Sequence, residues 1–224
     1  MFERVPEREL MDAADQVAAY AAMDFSEAHD RLIQELAETF PDSKFDGEVL
    51  NLGCGTGDET FRFLHRYPKS RVIGVDGAAA MIARAKLELA THHKALSGRA
   101  EFLVGYVPSE DIPRRPYVAV LSNSLLHHMH KASAFWGAVG EHSSKGTAVF
   151  VGDLRRPDSK EKVEELVRVY TEGEPEIFRG DFRNSLCAAF TADEVRSQLK
   201  AAGLSELKVR EIGDRHLVIA GVRG

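Results

Sequence analysis

Short apolar runs alternate with segments of helical periodicity through the middle of the chain. The apolar runs are rich in Val, Ile and Leu and lie at residues 49–52, 72–75, 100–104, 117–122 and 146–151. Apolar residues recur at helical spacing in three of the intervening segments, residues 58–67, 78–91 and 131–141. Continuous apolar strands that alternate with helices indicate a parallel sheet covered by helices on both faces.

The two ends of the chain depart from this alternation. Residues 8–40 are rich in Ala, Leu, Gln and Glu and are predicted to be helical. Residues 154–190 are predicted to form one or two helices outside the order of the sheet. A capping box at residues 191–194 predicts the start of a further helix. Residues 207–212 and 216–222, joined by a short turn, are predicted to pair as an antiparallel hairpin.

These elements predict an α/β fold with a Rossmann-like, doubly wound sheet of seven strands, mostly parallel with an antiparallel C-terminal hairpin. We expect an N-terminal helical cap at residues 1–45 and a main domain at residues 46–224, with a helical insertion at about residues 154–190. Ligands of such sheets bind at the carboxyl ends of the strands, near the point where the strand order reverses. The residues that follow each strand are therefore the first candidates for a site.

The turn after the first strand carries three glycines at alternate positions, Gly53, Gly55 and Gly57. Glycine allows positive φ and lets a ligand lie against the main chain, and the free N–H groups of the following helix then face that ligand. Asp76 ends the second strand about twenty residues further on, the distance at which a ribose-binding acid sits in βαβ nucleotide sites. The pattern predicts a site for a cofactor that contains a nucleoside.

These features occur in the order found in class I S-adenosylmethionine-dependent methyltransferases. Residues 51–57 (NLGCGTG) resemble the first motif of that family, and residues 74–76 (GVD) resemble its acidic second motif. Residues 121–128 (LSNSLLHH) resemble the fourth-strand motif of its small-molecule branch. The resemblance covers about residues 47–222. It implies a methyltransferase that uses S-adenosylmethionine, releases S-adenosylhomocysteine and acts on a small organic acceptor.

The resemblance also implies a cofactor site. Asp76 would accept hydrogen bonds from both ribose hydroxyls, and Asn123 would lie near the methyl group. The other cofactor-binding residues would be Gly53, Cys54, Gly55, Gly57 and Asp58 in the turn, Gly77 and Met81 near the adenine, and Tyr106 and Val107 on its other face. Two positions depart from the family pattern. Asn51 stands where the family often has an Asp that contacts the cofactor's ammonium, and Tyr106 stands where it commonly has an acid.

The catalytic candidates are His127, His128 and Asp153, which follow the fourth and fifth predicted strands. Methyl transfer is an in-line displacement, so the enzyme mainly has to position the acceptor, and a base is needed only when the acceptor must lose a proton. The alternative is that the histidines only shape the cofactor pocket. We predict no metal, because His127 and His130 have helical spacing but no cluster of further ligands accompanies them.

The substrate walls are predicted to come from the N-terminal helices and from residues 154–190. Tyr20 is the candidate in the first region, and Arg155 and Arg183 are the candidates in the second. Arg155 and its neighbour Arg156 lie at the rim of the strand ends, where two arginines can bind an anionic group of the substrate. The open alternative is that they are simply solvated.

Composition narrows the choice of partners and compartment. The 224-residue chain is 44% hydrophobic and has a formal net charge of −6, which argues against nucleic acid as a partner. Two distant cysteines indicate free thiols in a reducing compartment. We see neither a secretory signal nor an apolar run long enough to cross a bilayer, so we expect a cytoplasmic protein without a membrane partner. The oligomeric state stays open, a homodimer included.

Three alternatives remain at this point. A nicotinamide-dependent dehydrogenase shares the architecture, but its fingerprint is Gly-x-Gly-x-x-Gly, and Asp58 would repel a diphosphate. A tRNA-modifying methyltransferase would need an electropositive approach for its substrate. A non-catalytic protein that only binds the cofactor would show no methyl transfer.

Overall fold

A computed structural model describes residues 2–7 and 25–224. The predicted residue Tyr20 and the first part of the predicted helix at 8–40 lie outside the described residues. The strands are β1 (Glu48–Leu52), β2 (Arg71–Asp76), β3 (Ala100–Val104), β4 (Ala119–Asn123), β5 (Ala148–Leu154), β6 (Lys208–Ile212) and β7 (His216–Val222).

Seven α-helices are present in the described part of the chain. They are α1 (Ser26–Thr39), α2 (Asp58–Arg66), α3 (Ala79–Thr91), α4 (Ala132–Glu141), α5 (Lys160–Tyr170), α6 (Glu176–Ala188) and α7 (Ala192–Ala201). A short 3-10 turn at Leu126–His128 follows β4. The capping box predicted at the start of α7 is present, because Thr191 Oγ1 accepts the Glu194 N–H and the Glu194 carboxylate accepts the Thr191 N–H. No described helix has both the length and the apolar character needed to cross a membrane.

The strands form one sheet in the order β3-β2-β1-β4-β5-β7-β6. β1 to β5 run parallel, and β7 lies antiparallel between β5 and β6. The predicted fold class is therefore confirmed, including the C-terminal hairpin. The strand order reverses between β1 and β4, so the carboxyl ends of β1, β2 and β4 border the position where a ligand is expected. We call this position the cleft.

Both faces of the sheet are covered. Val49, Leu121 and Phe150 belong to a buried core that also includes side chains of α1, α2 and α3. Leu50, Val120 and further apolar side chains of the other face belong to a second core with side chains of α4 and α7. Successive residues of a strand point to opposite faces, so a central strand that is covered twice reads as an unbroken apolar run.

The fifth strand is longer than predicted. It was expected to end at Val151, but β5 continues to Leu154 because it pairs with β7 through the last register position, Leu154 opposite His216. The catalytic candidate Asp153 therefore lies inside β5, not after it, and is only 3% exposed. Hydrogen bonds to a neighbouring strand can extend a strand beyond the end of its apolar run.

The helices α5 and α6 form a layer of their own. A third apolar cluster joins them through Leu154, Val163, Leu166 and Leu186, with Phe2 packed against it. The backbone N–H of Val5 donates to the carbonyl of Cys187 at 3.1 Å. Residues 2–7, which we call the N-terminal strap, therefore run along α6.

Candidate active site

The glycine turn is held against the end of β2. The N–H groups of Gly53 and Cys54 both donate to the carbonyl of Val75, at 2.8 and 3.1 Å. Gly55 has φ of 53°, and a Cβ built there would meet nothing within 4 Å. Gly57 has φ of 87°, and a Cβ there would lie 2.9 Å from the ring of Phe102. Glycine is therefore required at position 57 both by the positive φ and by the closeness of Phe102, while Gly55 borders open space that a ligand can fill.

Asp76 ties the turn to the start of α3. One carboxylate oxygen accepts the Gly55 N–H at 2.9 Å, and the other accepts the Ala78 N–H at 2.8 Å. These bonds fix the plane of the carboxylate next to the open side of Gly55. A carboxylate has about four acceptor positions, and the contact of Asp76 with the two hydroxyls of a ribose stays a prediction from the sequence. The arrangement fits a nucleoside and contains no feature specific to a phosphate.

The residues expected around the adenine have different surroundings. Met81 is buried in a small apolar cluster with Ala78 and Ala80. Gly77 is partly exposed between Asp76 and that cluster. Tyr106 is 61% exposed, and Val107 packs partly buried against the core of the second face.

Cys54 points away from the open side of the turn. A Cβ built on Gly74 would lie 2.9 Å from its Sγ, so the thiol packs against the sheet. Burial, followed by the charge of Asp76, raises the pKa of Cys54 well above its ordinary value. The thiol is therefore neutral and contributes to packing.

Asp58, expected at the cofactor, is engaged by His29 and Arg62. Asp58 Oδ2 lies 2.7 Å from His29 Nδ1 and accepts from Arg62 Nε at 2.6 Å. Burial raises the pKa of Asp58, but the hydrogen bonds from His29 and Arg62 outweigh it and lower that pKa to about 2. The carboxylate joins α1 to the first turn of α2.

Sequence reasoning missed the next residue, Glu59. Its side chain is buried, and Oε1 has no hydrogen-bond partner among the described residues. Asn51 Oδ1 is also buried without a hydrogen-bond partner among these residues. The other end of the same amide is engaged, because Asn51 Nδ2 donates to Thr60 Oγ1 at 3.1 Å. The only signal in the sequence was that Glu59 directly follows Asp58 in a helix that also carries Phe61, Phe63 and Leu64.

The catalytic candidates His127 and Asp153 form a buried pair. His127 Nδ1 lies 2.6 Å from Asp153 Oδ1, and the side chains are 3% and 2% exposed. Asp153 Oδ2 accepts the N–H of Leu126 at 2.7 Å. Burial alone would lower the pKa of His127, but the charge and hydrogen bond of Asp153 raise it above its ordinary value.

His128 pairs with a residue that the sequence did not single out. Its Nδ1 lies 2.6 Å from Glu7 Oε2, and Ser185 Oγ donates to Glu7 Oε1 at 2.6 Å. Burial raises the pKa of Glu7, but the hydrogen bond and charge of His128 lower it below its ordinary value. Glu7, His127 and His128 offer ligand atoms within 4.8 Å of one another, which is a spacing that a metal ion can use.

The N-terminal strap also fixes the backbone around these histidines. The Arg4 guanidinium donates to the carbonyls of His127, Met129 and Ala188 at 2.8, 3.0 and 2.5 Å. It lies 4.0 Å from the ring centroid of Phe190. The Arg4 side chain therefore connects the turn after β4 to the end of α6. These residues are far apart in the sequence, so no local sequence pattern predicts the contact.

The two arginines expected at the substrate bind protein groups in the structure. Arg155 contacts the β6–β7 hairpin, with NH1 3.0 Å from Glu211 Oε2 and NH2 donating to the Asp214 carbonyl. Arg183 makes two bonds to Glu164, at 2.7 and 3.0 Å, and so links α6 to α5. The rings of Phe25 and Phe178, 6.1 Å apart, bring the start of α1 next to the start of α6.

Comparison with known proteins agrees with this geometry. Residues 49–142 match the family model described as a methyltransferase domain. A 61-residue segment is 36% identical to a trans-aconitate 2-methyltransferase of Deinococcus radiodurans, a match that covers 27% of this chain and 23% of that protein.

Solved structures share the fold at low identity. A SAM-dependent methyltransferase from Aquifex aeolicus superposes with a TM-score of 0.66 at 15% identity, over 92% of this chain and 96% of that one. The plantazolicin methyltransferase BpumL in complex with SAH gives 0.70 at 11% identity, over 94% and 90%. Human N-acetylserotonin methyltransferase in complex with SAM gives 0.62 at 16% identity, over 89% and 52%. Residues 49–142 therefore match a methyltransferase domain, and the chain has the fold of solved methyltransferases, two of which are complexes with SAM or SAH.

Proposed function

We propose that this protein transfers the methyl group of S-adenosylmethionine to a small organic acceptor and that His127 accepts the proton which the acceptor loses. The observation that carries the proposal is the buried pair of His127, in the turn after β4, and Asp153, near the carboxyl end of β5. The cofactor supplies a methyl group on a positively charged sulfur.

The protein's own contribution is to orient a base. Because Asp153 accepts from Nδ1–H, the other ring nitrogen of His127, Nε2, is left to take up a proton. The charge of Asp153 then stabilises the imidazolium that forms. Asp153 is thus a positioning residue, and its own acceptor sites are occupied by His127 and by backbone N–H groups of Leu126 and Leu154.

The surroundings of the pair favour a small acceptor. The N-terminal strap, the turn at Leu126–His128 and α6 are joined over the histidines by Arg4 and Glu7. A covered base of this kind is reached by a small molecule more readily than by a folded nucleic acid. The chain's net charge of −6 also disfavours a polyanion. The partial relative named as a trans-aconitate methyltransferase supports the same class of acceptor.

The test is transfer of label from methyl-labelled S-adenosylmethionine to fractionated cell extract. We expect label in the metabolite fraction and none in the RNA or protein fractions, with mass spectrometry identifying the product. The variant His127→Gln should lose most of this transfer while still binding S-adenosylhomocysteine. Label found only in RNA would support the tRNA-modifying alternative, and no label in any fraction would support a non-catalytic binding protein.

A further inference from the structure

Glu59 is a buried acid with one carboxylate oxygen that lacks a hydrogen-bond partner in the described part of the chain. It is the second residue of α2, directly after the glycine turn, and its side chain is 6% exposed. Its Oε1 is fully covered and accepts no hydrogen bond from the described part of the chain. A buried polar group that lacks a partner is destabilising, so an unpartnered carboxylate oxygen at this place calls for a partner that residues 2–7 and 25–224 do not provide.

The charged groups around Glu59 do not neutralise it. His29 of α1 and Asp58 of α2 act on it from a distance, and the buried Cys54 thiol lies on the turn side. Burial raises the pKa of Glu59 to about 7, with Asp58 adding to the rise and His29 opposing it. Without a ligand the folded protein therefore holds this side chain largely as the neutral acid below neutral pH.

The other carboxylates near the cleft are engaged. Asp58 binds His29 and Arg62. Asp153 binds His127 and backbone N–H groups. Asp76 accepts from the N–H groups of Gly55 and Ala78. Of these acids, Glu59 is the one with a buried carboxylate oxygen, Oε1, that has no hydrogen-bond partner among residues 2–7 and 25–224.

A second orphaned acceptor belongs to the same corner. Asn51, the last but one residue of β1, also has a buried Oδ1 without a partner. Its amide nitrogen is bound to Thr60, the residue that follows Glu59. The end of β1 and the first turn of α2 thus present two buried acceptor oxygens, and no donor among the described residues satisfies them.

We propose that Glu59, assisted by the carbonyl oxygen of Asn51, binds the α-ammonium of the amino-acid part of S-adenosylmethionine. An ammonium group has three N–H donors, enough to satisfy both oxygens, and a charge-assisted bond to a carboxylate is the stronger kind. The inference deepens the cofactor assignment and rests on it, but it does not depend on the identity of the methyl acceptor.

Binding then changes the ionisation of Glu59. Next to a cation the carboxylate form is favoured, so a neutral Glu59 releases its proton to solvent when the ammonium binds. No bond other than this O–H bond breaks, and the proton goes to the buffer.

The test compares two ligands by titration calorimetry. S-adenosylhomocysteine carries the ammonium, whereas 5′-methylthioadenosine has the same nucleoside and a thioether but no amino-acid part. In Glu59→Gln we expect affinity for S-adenosylhomocysteine to fall about 10- to 100-fold, while affinity for 5′-methylthioadenosine changes less than about twofold. Glu38→Gln, which removes the same charge from an exposed position of α1, should change neither affinity.

Stability gives an independent readout. Because Gln removes a buried ionisable group, Glu59→Gln should unfold at a higher temperature than wild type above neutral pH when no ligand is present. A gain in stability together with a loss of affinity is the signature of a binding group, not of a structural one.

A wild-type measurement covers the case in which the variant fails to fold. Near pH 6, calorimetry in buffers of different ionisation enthalpy should show proton release with S-adenosylhomocysteine and none with 5′-methylthioadenosine. Equal proton release for both ligands overturns the proposal. So does a Glu59→Gln variant that loses affinity for both ligands equally, or one that loses no affinity for S-adenosylhomocysteine. If wild type binds neither ligand, the cofactor assignment fails as well.

Discussion

His127 Nδ1 and Asp153 Oδ1 lie 2.6 Å apart inside the protein, and each side chain is almost completely removed from solvent. Asp153 Oδ2 accepts the N–H of Leu126, which lies in the short turn after β4. The carboxylate therefore fixes both the ring of His127 and the backbone that carries it. This relationship makes one ring nitrogen a donor and leaves the other as a base.

Asp153→Asn should slow methyl transfer about 10²- to 10⁴-fold. The amide of Asn can donate to Nδ1 and so favours the tautomer in which Nε2 carries the hydrogen. Affinity for S-adenosylhomocysteine should stay within about twofold, because Asp153 does not touch the glycine turn. Single-turnover rates with labelled S-adenosylmethionine measure the first quantity and calorimetry the second. A variant with the wild-type rate would show that His127 does not act as a base.

Asp76→Ala should abolish the thermal stabilisation that S-adenosylhomocysteine gives to wild type. The change removes the expected acceptor of the ribose hydroxyls and also leaves the Gly55 and Ala78 N–H groups without their acceptor. Asp111→Ala, an exposed acid in the loop before β4, serves as the control. NAD should shift neither protein. A full shift with Asp76→Ala would refute the ribose contact.

Arg4→Ala should loosen the turn that carries the histidines. The variant leaves three carbonyls, those of His127, Met129 and Ala188, without their donor. Hydrogen exchange followed by mass spectrometry should show faster exchange in peptides that cover residues 126–130 and 185–190, with exchange in β1 and β2 unchanged. Arg31→Ala, an exposed arginine of α1, is the matched control. Unchanged exchange at both sites would mean that the strap does not hold this turn.

Acid should destabilise the protein through His216. Burial, followed by the charge of Arg215, lowers the pKa of His216 to about 4, against the opposing charges of Asp153 and Asp214. The folded state therefore favours the neutral ring. As pH falls below about 6.5 the unfolded chain binds the proton first, so stability declines from there down to about pH 4. Unfolding by urea should show a steeper decline for wild type than for His216→Gln between these values.

Chelators should leave methyl transfer unchanged. Although Glu7, His127 and His128 have ligand atoms close together, Glu7 already contacts His128 and Ser185, and His127 binds Asp153. The guanidinium of Arg4 adds a positive charge to the same surroundings. Treatment with EDTA followed by metal analysis and an activity assay checks this expectation. Stoichiometric zinc or iron that is lost together with activity would assign a metal role to the three residues.

The sheet and its order could be predicted because the signals are local. Apolar runs identified the strands, and the capping box of Thr191 and Glu194 located the start of α7 from four consecutive residues. The end of β5 was misplaced because its extension depends on β7, a partner more than sixty positions away. A run of residues does not show which distant strand will pair with it.

The candidate site could be predicted only in part, because several of its contacts also join residues that are distant in the sequence. The glycine turn and Asp76 form a recognisable pattern, so the cofactor type followed from the sequence. Asp58 and Glu59 are adjacent acids, and the sequence does not show which one faces inward. Glu7 and Arg4 act on His127 and His128 from more than a hundred positions away. Contacts of that kind arise from packing alone.

The link between Arg4 and Ala188 spans 184 positions. On the ribosome, residues 2–7 are synthesised long before their partners, whereas β2, the last part of the glycine-turn region, ends 100 residues before α6 begins. A nascent chain can thus assemble its nucleoside-binding half early. The histidines can be covered only after α6 has been synthesised. Translation therefore imposes an order in which the cofactor end of the site forms before the acceptor end.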